Sequence, residues 1–306
     1  MDALLTHLLT SDATPLADDL HAWWRAAASL RDRFAHPLER ALALGLTAPS
    51  VGAAFVGGYR AALHRLVPSL GAHTRAALCA SEDRGAHPRH INTRATVTAE
   101  GYALDGAKRF VTGARDADAL LVLAVESVSD DGTRAFALLN VSPETRGVRF
   151  EEMPALPFAP EVSHATVTFE GVRVTRDARL DGDGWRDLVK PFRTVEDLHV
   201  QAAVTAWLLG ALRRHGGAEV VAERLVSHAV SLRALADAAV EAPSTHVALA
   251  GSFANLEAIT SSLDAWWTSA PEALSSMWMR DRALLTVARG AREARRAKAW
   301  ASLRGG

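Results

Sequence analysis

The chain has 306 residues, 49% hydrophobic and 23% charged, with a formal net charge of −1, a composition ordinary for a globular protein. The near-neutral balance gives no electrostatic attraction to nucleic acid or to an anionic membrane, and no run reaches the roughly 18 uninterrupted apolar residues of a spanning helix. The single cysteine, Cys79, excludes an intramolecular disulfide and fits a reducing cytoplasm, and the acidic start MDALLTHLLTSDATPLADDL lacks the basic region of a secretory signal, so a cytoplasmic location is expected.

From the N-terminus, Leu4, Leu5, Leu8 and Leu9 recur at helical spacing, as do Leu38, Ala41, Leu42 and Leu46. A further helix is expected over Val51–Leu66, ahead of Pro68, which makes residues 1–75 a helical domain. Over 76–183 the period changes. INTRATVTAEGYALDG alternates β-branched and polar residues around a glycine and reads as a hairpin, with Asp105-Gly106 at a turn. ALLVLAVES, TRAFALLNV, GVRFEEM and SHATVTFEGVRV follow as strands between Asp-Gly, Pro and Gly breaks. Helical periodicity returns over 184–306, in VEDLHVQAAVTAWLLGALRRHG and then in 218–240, 244–267 and 277–303. The expected fold class is α+β, with N-terminal helices, a central antiparallel β domain and a C-terminal helical bundle.

Four segments recur in an informative order: CASED from Cys79, GYALDGAKRFVTGARDADALLVLA over 101–124, VTFEGVRVTRDARLDGDGW, and RDRALLTVARGAREARR near the end. They resemble, in turn, four segments of the acyl-CoA dehydrogenase family: its strand with Thr-Glu-Pro, its Gly-Tyr-x-Leu-Asn-Gly-x-Lys-x-Trp/Phe-Ile-Thr stretch, its exit from the β domain, and its Arg-Asp…Glu-Gly-Thr helix. The resemblance runs from about residue 50 to residue 303 and identifies a shortened, diverged member.

In that family the β domain walls one face of a flavin, so FAD is the implied cofactor. The resemblance places Phe110 against the isoalloxazine, the Thr112 hydroxyl near flavin N5, and Ser81 at the pyrimidine end of the ring. A flavin needs a flat apolar face and a few placed polar groups, which these residue types supply. The plain alternative makes Phe110 a core residue and Thr112 an ordinary strand residue.

Three departures bear on the chemistry. The family's Arg-x-x-Phe-Gly, whose Arg contacts the pyrophosphate, is missing: AERLVSHAVSLRALADAA passes from Glu223-Arg224 into helical pattern, and Ser227-His228 is no bidentate fork. The glycine-rich turn that cradles the ADP part of FAD corresponds to DAWWTSAPEALSSMWMRD, which contains no glycine. FAD binding is therefore expected to be weakened or lost. The catalytic glutamate position falls on Arg289, which stays protonated and has no acceptor, so it cannot abstract a proton, although it can hold a carboxylate or phosphate. Some relatives carry the base on the first long C-terminal helix. Glu196, beside Asp197, is the candidate there, against the plainer reading of an acidic first turn capped by Thr194.

The remaining features read as structural. His87-Pro-Arg-His90 lacks third and fourth ligands, so an exposed loop and no metal are expected. Trp266, Trp267 and Trp278 read as helix packing or a subunit interface, and Arg289, Arg292, Arg295, Arg296 and Lys298 as a solvated or partner-facing surface. Two functions follow. One is an oxidoreductase that dehydrogenates an acyl thioester such as an acyl-CoA, in fatty acid or steroid metabolism, within a homo-oligomer or a hetero-oligomer with a full-length relative. The other is a flavin-free, non-catalytic acyl- or protein-binding protein that keeps the fold.

Overall fold

The computed structural model describes residues 1–305, which form two compact units. One comprises residues 1–65, 156–161 and 194–306 and is helical; the other comprises 66–155 and 162–193 and holds the sheet.

In the helical unit, α1 (Asp2–Thr10) turns Leu4 and Leu8 inward and leaves Leu9 in solvent, as a one-sided helical stripe requires. Two short helices, α2 (Leu20–Ala26) and α3 (Ala28–Arg33), lead to α4 (Pro37–Leu46), which starts on Pro37 with the His36 ring accepting from the Leu38 N–H. Next come α5 (Val51–Leu66) and, after the sheet, α6 (Lys190–Arg214), in which every residue from 197 to 212 is buried. Glycines let the three backbones approach. A Cβ on Gly45 would stand 2.1 Å from the Ala203 carbonyl oxygen, and one on Gly58 would stand 2.7 Å from that of His199.

The remaining helices are α7 (Glu219–Leu235), α8 (Pro243–Ser261), α9 (Asp264–Trp267), α10 (Glu272–Asp281) and α11 (Arg289–Leu303). Two of the expected helices, 244–267 and 277–303, are therefore each broken. The second break follows from Asp281, whose buried carboxylate accepts the distant Ala159 N–H at 2.7 Å and the Arg280 guanidinium at 2.6 Å. A 3₁₀ turn over Arg282–Leu285 then redirects the chain. The start of α6 also differs from expectation. Asp183 caps a π-helical turn over Gly184–Val189, α6 begins at Lys190, and Thr194 lies buried inside it and caps nothing.

The sheet has seven strands: β1 (Ala76–Cys79), β2 (Arg94–Val97), β3 (Gly101–Thr112), β4 (Ala119–Val128), β5 (Arg134–Val141), β6 (Val148–Glu152) and β7 (His164–Thr175). Their order is β1-β4-β2-β3-β7-β6, with β5 also on β4, and the sheet curls over a core that includes Leu104, Val111, Leu120, Leu139 and Phe169. A wholly antiparallel sheet needs one amendment: β4 pairs parallel with β1 and touches β2 in parallel, because the β2–β3 hairpin intervenes before the chain returns along β1.

The expected hairpin is β2–β3, turning at Gly101 where the Thr98 N–H donates to the Gly101 carbonyl at 2.9 Å, whereas Asp105-Gly106, expected at a turn, lies within a strand. These residues form a bulge inside β3, where Gly106 has φ +144° and a Cβ would collide with Thr93. Asp105 is held there by accepting the Gly171 N–H at 2.8 Å. Among the described residues no helix is long and apolar enough to cross a membrane.

Candidate functional site

A second bulge in β3 shapes the most distinctive surface of the sheet unit. The register against β7 breaks between Lys108 and Val111, and both of those residues are fully buried. Simple alternation would turn Phe110 inward with Lys108. The extra residue instead takes φ +55° and leaves the ring 53% exposed. A bulky residue held at positive φ costs on the order of 1–3 kcal/mol and persists only where its surroundings impose it. The reading of Phe110 as core is thus overturned.

The neighbours of Phe110 are fixed in turn. The Arg109 N–H donates to the Ser81 carbonyl at 2.8 Å, which ties Ser81 to the Phe110 segment. The Arg109 guanidinium reaches Asp83 at 2.9 Å and lies 5.6 Å from the Phe110 ring centre. Thr112 is half-buried and pairs through its backbone with His164; its hydroxyl makes no hydrogen bond to any described residue. Gly113, at φ +63°, then turns the chain away. Ser81, Phe110 and Thr112 therefore sit on one connected stretch that offers an exposed flat ring and an uncommitted hydroxyl. That donor set fits a flat heteroaromatic ring such as a flavin's.

Beneath this surface lies a buried ion pair. Lys108 Nζ donates to Glu82 Oε1 at 2.8 Å and to the Ala80 carbonyl at 3.4 Å. Glu82 also accepts from the Thr93 N–H and hydroxyl and from the Asn92 N–H. Burial pushes the Glu82 carboxyl up, but Lys108 and these N–H groups outweigh it and hold it below its ordinary value. Both residues stand in segments that carry the resemblance, Glu82 in CASED and Lys108 in GYALDGAKRF, but nothing in the sequence shows that they meet.

In the helical unit, Glu196 stands half-buried on α6. Its neighbour Asp197 is buried and committed to ion pairs, receiving Arg292 at 2.9 Å and the Arg295 guanidinium. Arg295 also bonds the Thr194 hydroxyl at 3.2 Å, so α6 and α11 are joined by one ionic cluster. The expected basic surface on α11 is corrected accordingly: Arg292, which also stacks 3.9 Å over the Phe253 ring, and Arg295 face inward. Arg289 is exposed at the N-terminus of α11 and bonds Glu257 at 3.2 Å. Both line a groove of ≈ 790 Å³ beside α8, α10 and α11, together with Phe253, Met279 and Trp300.

Two further observations concern the positions where the resemblance places phosphate contacts. Helix α7 runs without interruption through Arg224 and His228, and His228 is buried, bonded to Gln201 at 3.0 Å and Asn255 at 3.1 Å. The segment over 264–281 contributes Trp267 and Trp278, which stack on each other at 5.4 Å and on Trp207 at 6.5 and 6.0 Å. That segment is committed to packing. His87 and His90 face each other at 5.5 Å, and among the described residues no group of three or more His, Cys, Asp or Glu could hold a metal ion.

Residues 76–172, the span that carries Ser81, Phe110 and Thr112, match the family profile "Acyl-CoA dehydrogenase, middle domain". The central sheet is similar to an acyl-CoA dehydrogenase middle domain. Solved structures extend the likeness in fold to the whole chain. The chain is similar to FkbI, described as serving biosynthesis of the methoxymalonyl extender unit of the Fk520 polyketide immunosuppressant, at 20% identity and TM-score 0.62 over 100% of this chain and 99% of that one. It is also similar to an FAD-dependent dehydrogenase, at 16% identity and TM-score 0.73 over 97% and 95% of the two chains. A third is the prolyl acyl carrier protein oxidase AnaB, at 14% identity and TM-score 0.69 over 99% and 97%. No curated protein matches the sequence. The fold is acyl-CoA dehydrogenase-like, and the middle domain supplies its sheet.

Proposed function

We propose that this chain is an acyl-CoA dehydrogenase-like oxidoreductase that forms an α,β-double bond in an acyl thioester, as a diverged subunit of a homo-oligomer or of a hetero-oligomer with a full-length relative. The observation that carries this reading is Phe110, exposed and held at positive φ within a middle domain. Its support includes similar structures described as an FAD-dependent dehydrogenase and as a prolyl acyl carrier protein oxidase.

A flavin, when bound, would supply the acceptor for a hydride from the substrate Cβ. Phe110 would give it an apolar wall, the Thr112 hydroxyl a hydrogen bond, and Ser81 a second polar contact. Glu196 takes the proton from the substrate Cα, the role that Arg289 cannot fill. Arg289 is suited to an anionic group. FAD is held weakly, because neither α7 nor the tryptophan-packed segment over 264–281 offers a phosphate cradle.

Those same two features favour the second reading, a flavin-free member that binds acyl groups or a protein. Thioester oxidation by the FAD-supplemented protein, alone and with a full-length relative, separates the two. Where oxidation is found, Glu196→Gln is expected to lower turnover by about 10²-fold or more, since it removes the proton acceptor and keeps the shape. Unchanged turnover would move the base elsewhere, and no oxidation in any combination would leave the binding reading.

A further inference from the structure

We propose that Lys108 and Glu82 are a positioning pair that holds Ser81, Phe110 and Thr112 in their ligand-facing arrangement. What the face binds rests on the flavin reading above; what the pair does to the face is independent of it.

Lys108 is fully buried, and its ammonium joins Glu82 and the Ala80 carbonyl, the two residues that flank Ser81. Glu82 holds the far end of the same connection through the Asn92 and Thr93 N–H groups and the Thr93 hydroxyl. One ion pair therefore fastens β3 to both ends of the segment between β1 and β2. It does so at the residue where the β3–β7 register breaks, one step before Arg109 donates to Ser81 and two before Phe110 takes φ +55°.

Energetics point the same way. A buried ion pair recovers little more than its desolvation, and an apolar pair of equal volume often stabilises a fold as well or better. What charge adds is a fixed geometry, because only one arrangement satisfies both partners. Released from Lys108, β3 can relax toward ordinary alternation, which removes the strain at Phe110 and withdraws the ring from the surface. The pair thus selects the bulged form over the regular one.

The test is the double variant Lys108→Met/Glu82→Gln in the full chain, which removes both charges and keeps an amide oxygen to accept from Asn92 and Thr93. Hydrogen–deuterium exchange over residues 105–113 is expected to accelerate at least tenfold. The thermal midpoint should move by only a few degrees. The FAD dissociation constant, read by flavin fluorescence, should rise at least tenfold. Leu42→Ala, a cavity in the helical unit, is the control: it should lower the midpoint of that unit and leave exchange at 105–113 and FAD affinity in place. If the double variant does not fold, Lys108→Met alone serves with the same exchange readout, because Glu82 then keeps its Asn92 and Thr93 donors and can take up a proton. Unchanged exchange over 105–113 in a folded variant overturns the proposal. Accelerated exchange in a protein whose wild type binds no FAD upholds the pair and overturns the flavin reading instead.

Discussion

Glu82 and Phe110 are each set against what their residue type ordinarily does, the one kept ionised while buried and the other kept exposed while aromatic. For Glu82 this has a measurable sign. Its folded-state carboxyl lies below its ordinary value, because Lys108 and the Thr93 and Asn92 donors outweigh burial. A group of this kind contributes stability that is fully present above its unfolded pKa of about 4.3 and is lost as pH falls through the folded value. Denaturant midpoints between pH 6 and pH 3 should therefore fall less steeply for Glu82→Gln than for the wild type over the acidic part of that range. Parallel curves would show that the carboxylate contributes nothing through its charge.

At the scale of elements, backbone contact between helices is the most demanding feature. Gly58 on α5 lies against the carbonyl of His199 on α6, and a Cβ there would meet it at 2.7 Å, with backbone and not a flexible side chain to be displaced. Gly58→Ala is expected to destabilise by about 1–3 kcal/mol, despite the better helix propensity of alanine, measured by urea unfolding. A neutral or stabilising result would mean that α5 and α6 are not in backbone contact. The helices were legible because Leu4 and Leu8, or Leu38 and Leu42, repeat at the helical period. Their ends were less so. Asp281 ends α10 through Ala159, which is 122 positions away, and a reading of neighbours cannot see such a partner. Likewise Ser81, Phe110 and Thr112 are candidates that the resemblance names, whereas the partnership of Lys108 with Glu82, 26 positions apart, and the bulge it accompanies were not legible. Alternation alone would have turned Phe110 inward.

For the molecule as a whole, acid should act first on the helical unit. Burial lowers the His199 imidazole to about 3 and those of His7 and His228 to about 4, with Arg33 and Arg213 adding to the effect at His7. The unfolded chain protonates these residues near 6.5 and the folded chain does not, so stability is full above that value and falls as pH drops from 6.5 toward 4. A wholly buried one such as His199 contributes up to about 1.4 kcal/mol per pH unit within that window. Thermal midpoints followed by helical circular dichroism should therefore decline between pH 6.5 and 4.5, and a flat profile would mean that these rings are solvated in the native state.

The central claim is that the exposed Phe110 stretch of the middle domain is a flavin-binding face, and an FAD titration tests it most directly. The protein should purify with well under one FAD per chain, because α7 and the tryptophan stack occupy the positions where the resemblance places phosphate contacts, and should then bind added FAD saturably, as followed by quenching of flavin fluorescence. Phe110→Ala keeps the positive φ, which any residue with a Cβ finds unfavourable, and removes only an exposed ring, so it should fold about as stably as the wild type while losing about tenfold or more in FAD affinity. Equal affinity in Phe110→Ala and wild type, or no saturable binding by the wild type at all, would contradict the account.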